Sequence, residues 1–452
     1  MNISGSVTIR HDDSYVLPIH LGRGIGSKTG EVRLDCPPLP TAQLEPFLAL
    51  VETAVGIIAA TRLGLRVNDM TSIVPDHPLP SNAAVELEQM ANLFVRSRSL
   101  VAGSPMTSRV VLGGARNDAH FTARDGDHRR AVIAWSGGID STTCVVAAQA
   151  EGLQLHPLYF SYYSENFTRH LFANERNAGE RLAMLLGKGV HPPERRDCDL
   201  SPVLKLTPHL TYRDDIDIDG WELFGRNLLI CLLMWAEALT LGAQHIIIGL
   251  TAEDLFCTEE RDGHTFYSEC CQSIEFIRMF NSLAEKVGGI NAPTCAVPLL
   301  RMRKGAVIRS LCAAHRQLLF ATHCCINDCS GEDGTCFSCY DKFWGIIATA
   351  RPQDLSITLG DKKISLSDSF GETVFGWGGQ AQGEAIPIAV ATVRQLDRFF
   401  AEGDEPSSDL EHSKYHYSPA LAGLLNLRNR PDLIGVFGKD LPPVLRYYAT
   451  DS

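Results

Sequence analysis

Five small or apolar residues, Ala131-Val132-Ile133-Ala134-Trp135, run straight into Ser136-Gly137-Gly138-Ile139-Asp140-Ser141-Thr142. Small and apolar residues then continue to Ala150. The order is strand, glycine turn, helix, and nothing else in the chain constrains its fold as tightly. A helix start leaves backbone N–H groups without intrahelical partners and carries partial positive charge, so a loop wrapped around it holds an anion. Gly137 and Gly138 remove side chains and let the backbone close on a phosphate. Ser136, Ser141 and Thr142 add hydroxyl donors. Asp140 repels a phosphate; it suits a Mg²⁺ that bridges phosphates, or a helix cap. No Gly-Lys-Ser/Thr follows, so this is not a Walker A loop. An ordinary glycine turn is the competing reading, and the full seven-residue string after a strand argues against it.

Around this loop, strand and helix patterns alternate. Residues 155–160 and 245–249 read as strands. Residues 141–150, 173–186 and 228–241 read as helices, the last two ended by Gly187 and Gly242. Such alternation implies βαβ units and a parallel sheet, with ligands at the carboxyl ends of the strands. The expected fold is α/β, a Rossmann-like parallel-sheet core over residues 129–345. An accessory α/β domain over residues 1–128 precedes it, with short strands at 7–10 and 31–34 and helices at 44–63 and 83–94. The polar stretch 116–130 is the expected boundary. A mostly helical region over 346–452 follows, with a hairpin at 357–367 turning at Gly360-Asp361 and helices at 388–400 and 419–427.

Length and charge limit the functions available. At roughly 100–200 residues per domain, 452 residues suggest two or three domains. Lys and Arg number 41 against 53 Asp and Glu, a net charge of −12, so strong sequence-independent nucleic-acid binding is not expected. No uninterrupted apolar run reaches the roughly 18–20 residues of a membrane span, and the first residues lack a signal-peptide core. No membrane association is expected, and a cytoplasmic location is. In a reducing compartment, the 14 Cys point to metal or catalysis rather than disulfides. Five of them, Cys324, Cys325, Cys329, Cys336 and Cys339, lie within 16 residues. Four thiolates close a tetrahedral structural Zn²⁺ site; a redox dithiol is the rival reading.

The loop resembles that of the N-type ATP pyrophosphatases, which implies that ATP is split to AMP and pyrophosphate through an adenylated intermediate. The motifs downstream narrow the resemblance. Gly225-Arg226-Asn227, then Ile248-Gly249-Leu250-Thr251-Ala252-Glu253-Asp254, Tyr267-Ser268-Glu269-Cys270, Pro298-Leu299 with Lys304, and the cysteine cluster follow the order of the 7-cyano-7-deazaguanine synthases. The resemblance covers roughly residues 130–344. It implies that Arg226 contacts phosphate (or is a surface ion pair), and that Lys304 neutralises the leaving pyrophosphate (or is a solvated lysine). It implies that Asp254 contacts the substrate base or Mg²⁺ (or caps a helix), and that Tyr267 and Glu269 face the substrate. Cys324, Cys329, Cys336 and Cys339 become the zinc ligands, with Cys325 as the alternative to Cys324. NAD synthetase shares Ser-Gly-Gly-Ile-Asp-Ser, but the cysteine cluster argues against it.

The chain also departs from that family. Pro-Asp-Cys-Arg is replaced by Ser268-Glu269-Cys270-Cys271, the zinc spacing is stretched, and Lys342 stands where the family has Arg. Length, flanks and altered motifs resemble the long synthase-like proteins encoded in bacterial anti-phage defence operons. That resemblance implies a deazaguanine carboxylate that is adenylated and handed to an amine other than ammonia, such as one on an operon-encoded protein partner. A housekeeping synthase making a queuosine precursor and a non-catalytic nucleotide-binding subunit are the alternatives.

Overall fold

In a computed structural model, the structure describes residues 2–5, 8–9, 14–23, 26–62, 70–101, 109–121, 126–162, 171–187, 189–206, 224–256, 258–261, 264–267, 270–302, 304–324, 342, 356–359 and 362–365. The strands, in chain order, are β1 (Asn2–Gly5), β2 (Thr8–Ile9), β3 (Ser14–Arg23), β4 (Gly26–Asp35), β5 (Met70–Pro75), β6 (Leu79–Pro80), β7 (Arg109–Leu112), β8 (Arg116–Asn117), β9 (Asp127–Ala134), β10 (Gln154–Ser161), β11 (Glu194–Asp199), β12 (Ala243–Ile247), β13 (Thr258–Arg261), β14 (His264–Tyr267), β15 (Thr294–Ala296), β16 (Ser356–Leu359) and β17 (Lys362–Ser365). The helices are α1 (Thr41–Arg62), α2 (Ser81–Val101), α3 (Ile139–Ala150), α4 (Leu171–Leu186), α5 (Ser201–Leu206), α6 (Arg226–Leu241), α7 (Ala252–Phe256), α8 (Ile274–Gly288) and α9 (Lys304–Ala321).

Five parallel strands lie in the order β15-β12-β9-β10-β11. The chain begins this sheet in the middle, at β9. It winds outward through β10 and β11, then returns to β9 and continues on its other side through β12 and β15. This is the doubly wound, Rossmann-like α/β core that the alternation of strands and helices implies. Neighbouring strands β9 and β12 therefore diverge in their connections, and a crevice opens past their carboxyl ends. Alternate residues of β9 enter different cores. Val132 packs with α1, α2, α6 and α8, whereas Ala131 and Ile133 pack with α3, α4 and α9. Burial on both faces explains the continuous apolar run. Strand β12 ends at Ile247, two residues short of the expected 249, and Ile248 to Leu250 continue as irregular backbone beside the crevice.

The N-terminal segment extends this sheet. Strand β4 pairs antiparallel with β11 at Leu34↔Cys198 and Arg33↔Asp199, and Asp197 N–H donates to Asp35 Oδ2 at 2.9 Å. Beyond β4 the order continues β3-β1-β5-β7. Residues of α1 and α2 share one buried core with α6 and α8. Among the described residues, α1 is the one helix long and apolar enough to cross a membrane, and 89 % of its most apolar window is buried inside the structure. Within the expected boundary, Phe121 N–H donates to Val287 O at 2.7 Å, and the Phe121 ring stands edge-on to Trp235 with centroids 4.9 Å apart. Strands β16 and β17 form the expected hairpin, Leu359 pairing with Lys362. The helices expected at 388–400 and 419–427 lie outside the described residues.

Candidate functional site

The seven-residue loop leaves β9 at the switch point of the sheet and opens α3. Gly138 occupies the N-cap position, and among the described residues no side chain caps the helix. The helix start thus keeps backbone N–H groups available for an anion. Gly137 has φ +80°, and a Cβ there would lie 2.9 Å from the Glu175 carbonyl oxygen and 3.0 Å from Ala178 Cβ on α4. Only glycine meets both conditions. Ser136 and Ser141 hydroxyls lie 3.1 Å apart, Ser136 Oγ accepts from Gly138 N–H, and Ser141 donates to the Gly138 carbonyl. These bonds hold the loop open around its own backbone. Ile139 is buried in the core under the loop. Thr142 departs from the expectation of a phosphate donor. It is fully buried, and its Oγ1 accepts from the Trp135 indole at 3.1 Å, so it props the loop from beneath.

Three charged side chains meet at the mouth of the loop. Lys304, first residue of α9, forms an ion pair with Asp140 Oδ2. Asp254 Oδ2 accepts from Thr251 N–H at 2.6 Å and from Thr251 Oγ1 at 2.8 Å, closing the first turn of α7. This is the reciprocal half of a capping box, so the helix-cap alternative holds for that oxygen. Burial, and next the Asp140 carboxylate, push the Asp254 carboxyl above its usual range; Lys304 opposes them. Among the described residues, two carboxylates share this site with one lysine, and Asp140 Oδ1 is buried without a hydrogen-bond partner. An orphaned carboxylate oxygen beside a second carboxylate fits Mg²⁺, a hard cation that takes oxygen ligands. Gly249 brings β12 against the loop: a Cβ there would lie 2.8 Å from Ser141 N and 3.0 Å from Asp140 C.

Arg226 starts α6 directly after Gly225, and its guanidinium lies 6.0 Å from the Tyr162 ring centroid. The N-terminal helices buttress this corner. Phe94 and Ile58 lie against the Gly225 backbone, Thr61 donates to Phe224 O at 3.3 Å, and Arg98 stacks over the Phe224 ring at 4.5 Å. Asn227 donates to Cys271 O at 3.0 Å, tying α6 to the segment after Tyr267. Cys270 and Cys271 are both buried, and Ser273, the N-cap of α8, donates to Cys270 O at 2.7 Å. Tyr267 ends β14, and burial raises its phenol. Glu269 lies outside the described residues.

Cys325, Cys329, Cys336 and Cys339 also lie outside them. Among the described residues, no three His, Cys, Asp or Glu side chains gather as a metal site. Cys324 follows His323, whose N–H donates to Gly137 O at 2.9 Å, so the segment leading into the cysteine cluster touches the phosphate loop. Lys342 is almost completely buried and donates to the Thr322 carbonyl, bracing the same segment.

Sequence reasoning missed Glu175 and Tyr159. Tyr159 donates to Glu175 Oε2 at 3.2 Å beside the loop. A signal was present: Glu175 shares a helical face with buried Ala178, Gly179 and Leu182, at i, i+3, i+4 and i+7, where a carboxylate is out of place.

The family model for queuosine biosynthesis protein QueC matches residues 130–183, from the loop strand through most of α4. The 7-cyano-7-deazaguanine synthase of Syntrophobacter fumaroxidans is 32 % identical over 198 residues, 40 % of this chain and 76 % of that protein. The one from Geotalea uraniireducens is 29 % identical over 249 residues, 52 % of this chain and 99 % of that protein. The one from Methanothrix thermoacetophila is 27 % identical over 233 residues, 49 % of this chain and 96 % of that protein. No solved structure matches the chain. The doubly wound core, the phosphate loop at its switch point and these likenesses together place the chain in the 7-cyano-7-deazaguanine synthase family.

Proposed function

We propose that the chain uses ATP to adenylate the carboxylate of 7-carboxy-7-deazaguanine, or of a similar deazapurine, and passes the acyl group to a nitrogen nucleophile. The observation that carries this reading is the meeting of Asp140, Asp254 and Lys304 at the mouth of the phosphate loop. A carboxylate oxygen attacks the α-phosphorus, and pyrophosphate leaves. The amine then attacks the acyl carbon, and AMP departs with the electron pair of the broken C–O bond. Loop N–H groups and the Ser136 and Ser141 hydroxyls cradle the phosphates. Lys304 exchanges its Asp140 partner for the departing pyrophosphate, and Arg226 adds a fork of donors. Mg²⁺ held by Asp140 Oδ1 would neutralise phosphate charge. The Asp254 carboxylate would serve either that cation or the base.

The acceptor is proposed to be an amine of an operon-encoded partner protein in cytoplasmic anti-phage defence, with the four cysteines as a zinc staple beside the site. Support comes from Ser268 to Cys271 replacing the family string, and from flanks that take up about half the chain. A second reading, a housekeeping synthase, is favoured by the relatives' shared name. One experiment separates them: purified protein, ATP and 7-carboxy-7-deazaguanine, with pyrophosphate and products followed by mass spectrometry. Pyrophosphate release that depends on the deazaguanine acid supports adenylation. Nitrile formed from ammonia at a rate typical of the family sinks the protein-amine reading. Substrate-independent silence sinks both.

A further inference from the structure

Among the described residues, the path of the large sheet ends in β15 on one side and β7 on the other. An end strand turns one row of its backbone N–H and C=O groups away from the sheet, a template for pairing with another chain. In β7 the alternation is set by Gly113, just past the strand, whose N–H donates to Ile73 O of β5 at 2.9 Å. Val110 and Leu112 therefore face outward. In β15, Ala296 O accepts from Ile248 N–H at 3.3 Å on the β12 side, so Cys295 faces outward.

Side chains take every one of these outward groups. Asn92 of α2 exchanges two hydrogen bonds with Val110: Oδ1 accepts from its N–H and Nδ2 donates to its carbonyl, each at 2.9 Å. Nδ2 also donates to Glu88 O at 2.8 Å, which fixes the direction of the amide. Leu112 N–H donates to Glu88 Oε2 at 3.1 Å, and Arg116 Nη2 donates to Leu112 O at 2.7 Å. At the other end, Asn281 of α8 repeats the arrangement on Cys295: Oδ1 accepts from its N–H at 2.7 Å and Nδ2 donates to its carbonyl at 3.1 Å. A carboxamide offers the same donor and acceptor as a peptide group, so each asparagine takes the place of a residue in the next strand. The two helices also hold each other. Glu86 of α2 accepts from Ser282 Oγ of α8 at 3.3 Å and pairs with Lys286, and Asn82 donates to Lys286 O. Both ends of the sheet thus close on one helix pair.

We propose that Asn92 and Asn281 are edge locks: their carboxamides occupy the backbone of the two end strands and keep it from pairing with a strand of a second copy of this chain. The same device on different helices, at opposite ends of the sheet, carries this twice.

The test uses the intact chain, Asn92→Ala, Asn281→Ala and the double variant. Hydrogen–deuterium exchange follows the segments that hold Val110 and Cys295, and sedimentation velocity follows association across a range of concentrations. In the wild type both segments are protected although they lie at the ends of the sheet. Asn92→Ala speeds exchange at Val110 by about fivefold or more and leaves Cys295 unchanged; Asn281→Ala does the reverse. The double variant forms a concentration-dependent dimer or larger species that the wild type does not form, and the same amides regain protection as it associates. Where an alanine variant loses its native circular dichroism, Asn→Gln at that position replaces it, because the extra methylene moves the amide off both backbone groups and keeps the helix. Unprotected end segments in the wild type overturn the inference. So do folded variants whose exchange is unchanged, or whose exchange quickens without association. If alanine and glutamine variants all unfold, the asparagines hold the fold itself rather than guard its edges, and the inference fails as well.

Discussion

Lys304 reaches Asp140 across 164 residues of sequence, and the two form an ion pair at the mouth of the phosphate loop. Each is partly exposed, so the pair itself contributes little to stability, within about 1 kcal/mol. In the proposed mechanism the pair places a cation where pyrophosphate leaves. Lys304→Met is expected to lower kcat for deazaguanine-dependent pyrophosphate release by about 10²-fold or more, with the melting temperature nearly unchanged. A large fall in melting temperature alongside an unaltered kcat would show the pair to be structural.

Gly249 is tested by its neighbour rather than by its own conformation. A Cβ at this position would stand 2.8 Å from Ser141 N and 2.9 Å from Ser141 Cα, both backbone atoms at the head of α3. Backbone cannot swing aside like a flexible side chain, so Gly249→Ala forces β12 and the loop apart. The expected cost is about 1–3 kcal/mol of stability, together with loss of ATP affinity measured by titration. Ordinary ATP affinity in a well-folded variant would mean the loop accommodates the methyl group without shifting.

The loop and the parallel core were legible because their signals are local. A strand, a glycine turn and a helix start occupy a dozen consecutive residues, and β9 is apolar because both faces are buried. The partnership of Asp140 with Lys304 was not legible, since no spacing rule links residues on α3 and α9. Strand β3 was missed for another reason. Pro18 lies within it and cannot donate to a ladder, which reads against a strand. In the structure Pro18 pairs in register with Glu31. Thr142 reads as a phosphate donor because a hydroxyl in such a loop looks like a ligand, and its bond from the Trp135 indole was not legible.

The N-terminal segment has a predicted catalytic consequence through Phe94. Its ring is fully buried on α2, lies against the backbone at Gly225, and stands 5.8 Å from the Phe276 ring on α8. It therefore supports the start of α6, where Arg226 is held. Phe94→Ala is expected to cost about 3–5 kcal/mol through the cavity it leaves. The milder Phe94→Leu costs about 1 kcal/mol and leaves the fold intact. In the leucine variant KM for ATP is expected to rise severalfold with the fold retained by circular dichroism. An unchanged KM would detach the N-terminal helices from the site.

Glu175 makes a prediction about stability that needs no ligand. Its carboxyl is raised by burial from 4.5 to about 7 in the folded chain. Between those values the native state holds a proton that the unfolded chain has released, so stability falls as pH rises through this window and is level above it. The ceiling is about 3 kcal/mol, at ~1.4 kcal/mol per pH unit of displacement. Glu175→Gln lacks this titration and keeps an oxygen acceptor for Tyr159. The variant is therefore expected to gain on the wild type as pH rises from about 5 to about 7, and to hold that advantage at pH 8. Chemical denaturation at each pH measures it. Parallel stability curves for the two proteins would mean the Glu175 carboxyl titrates near its ordinary value.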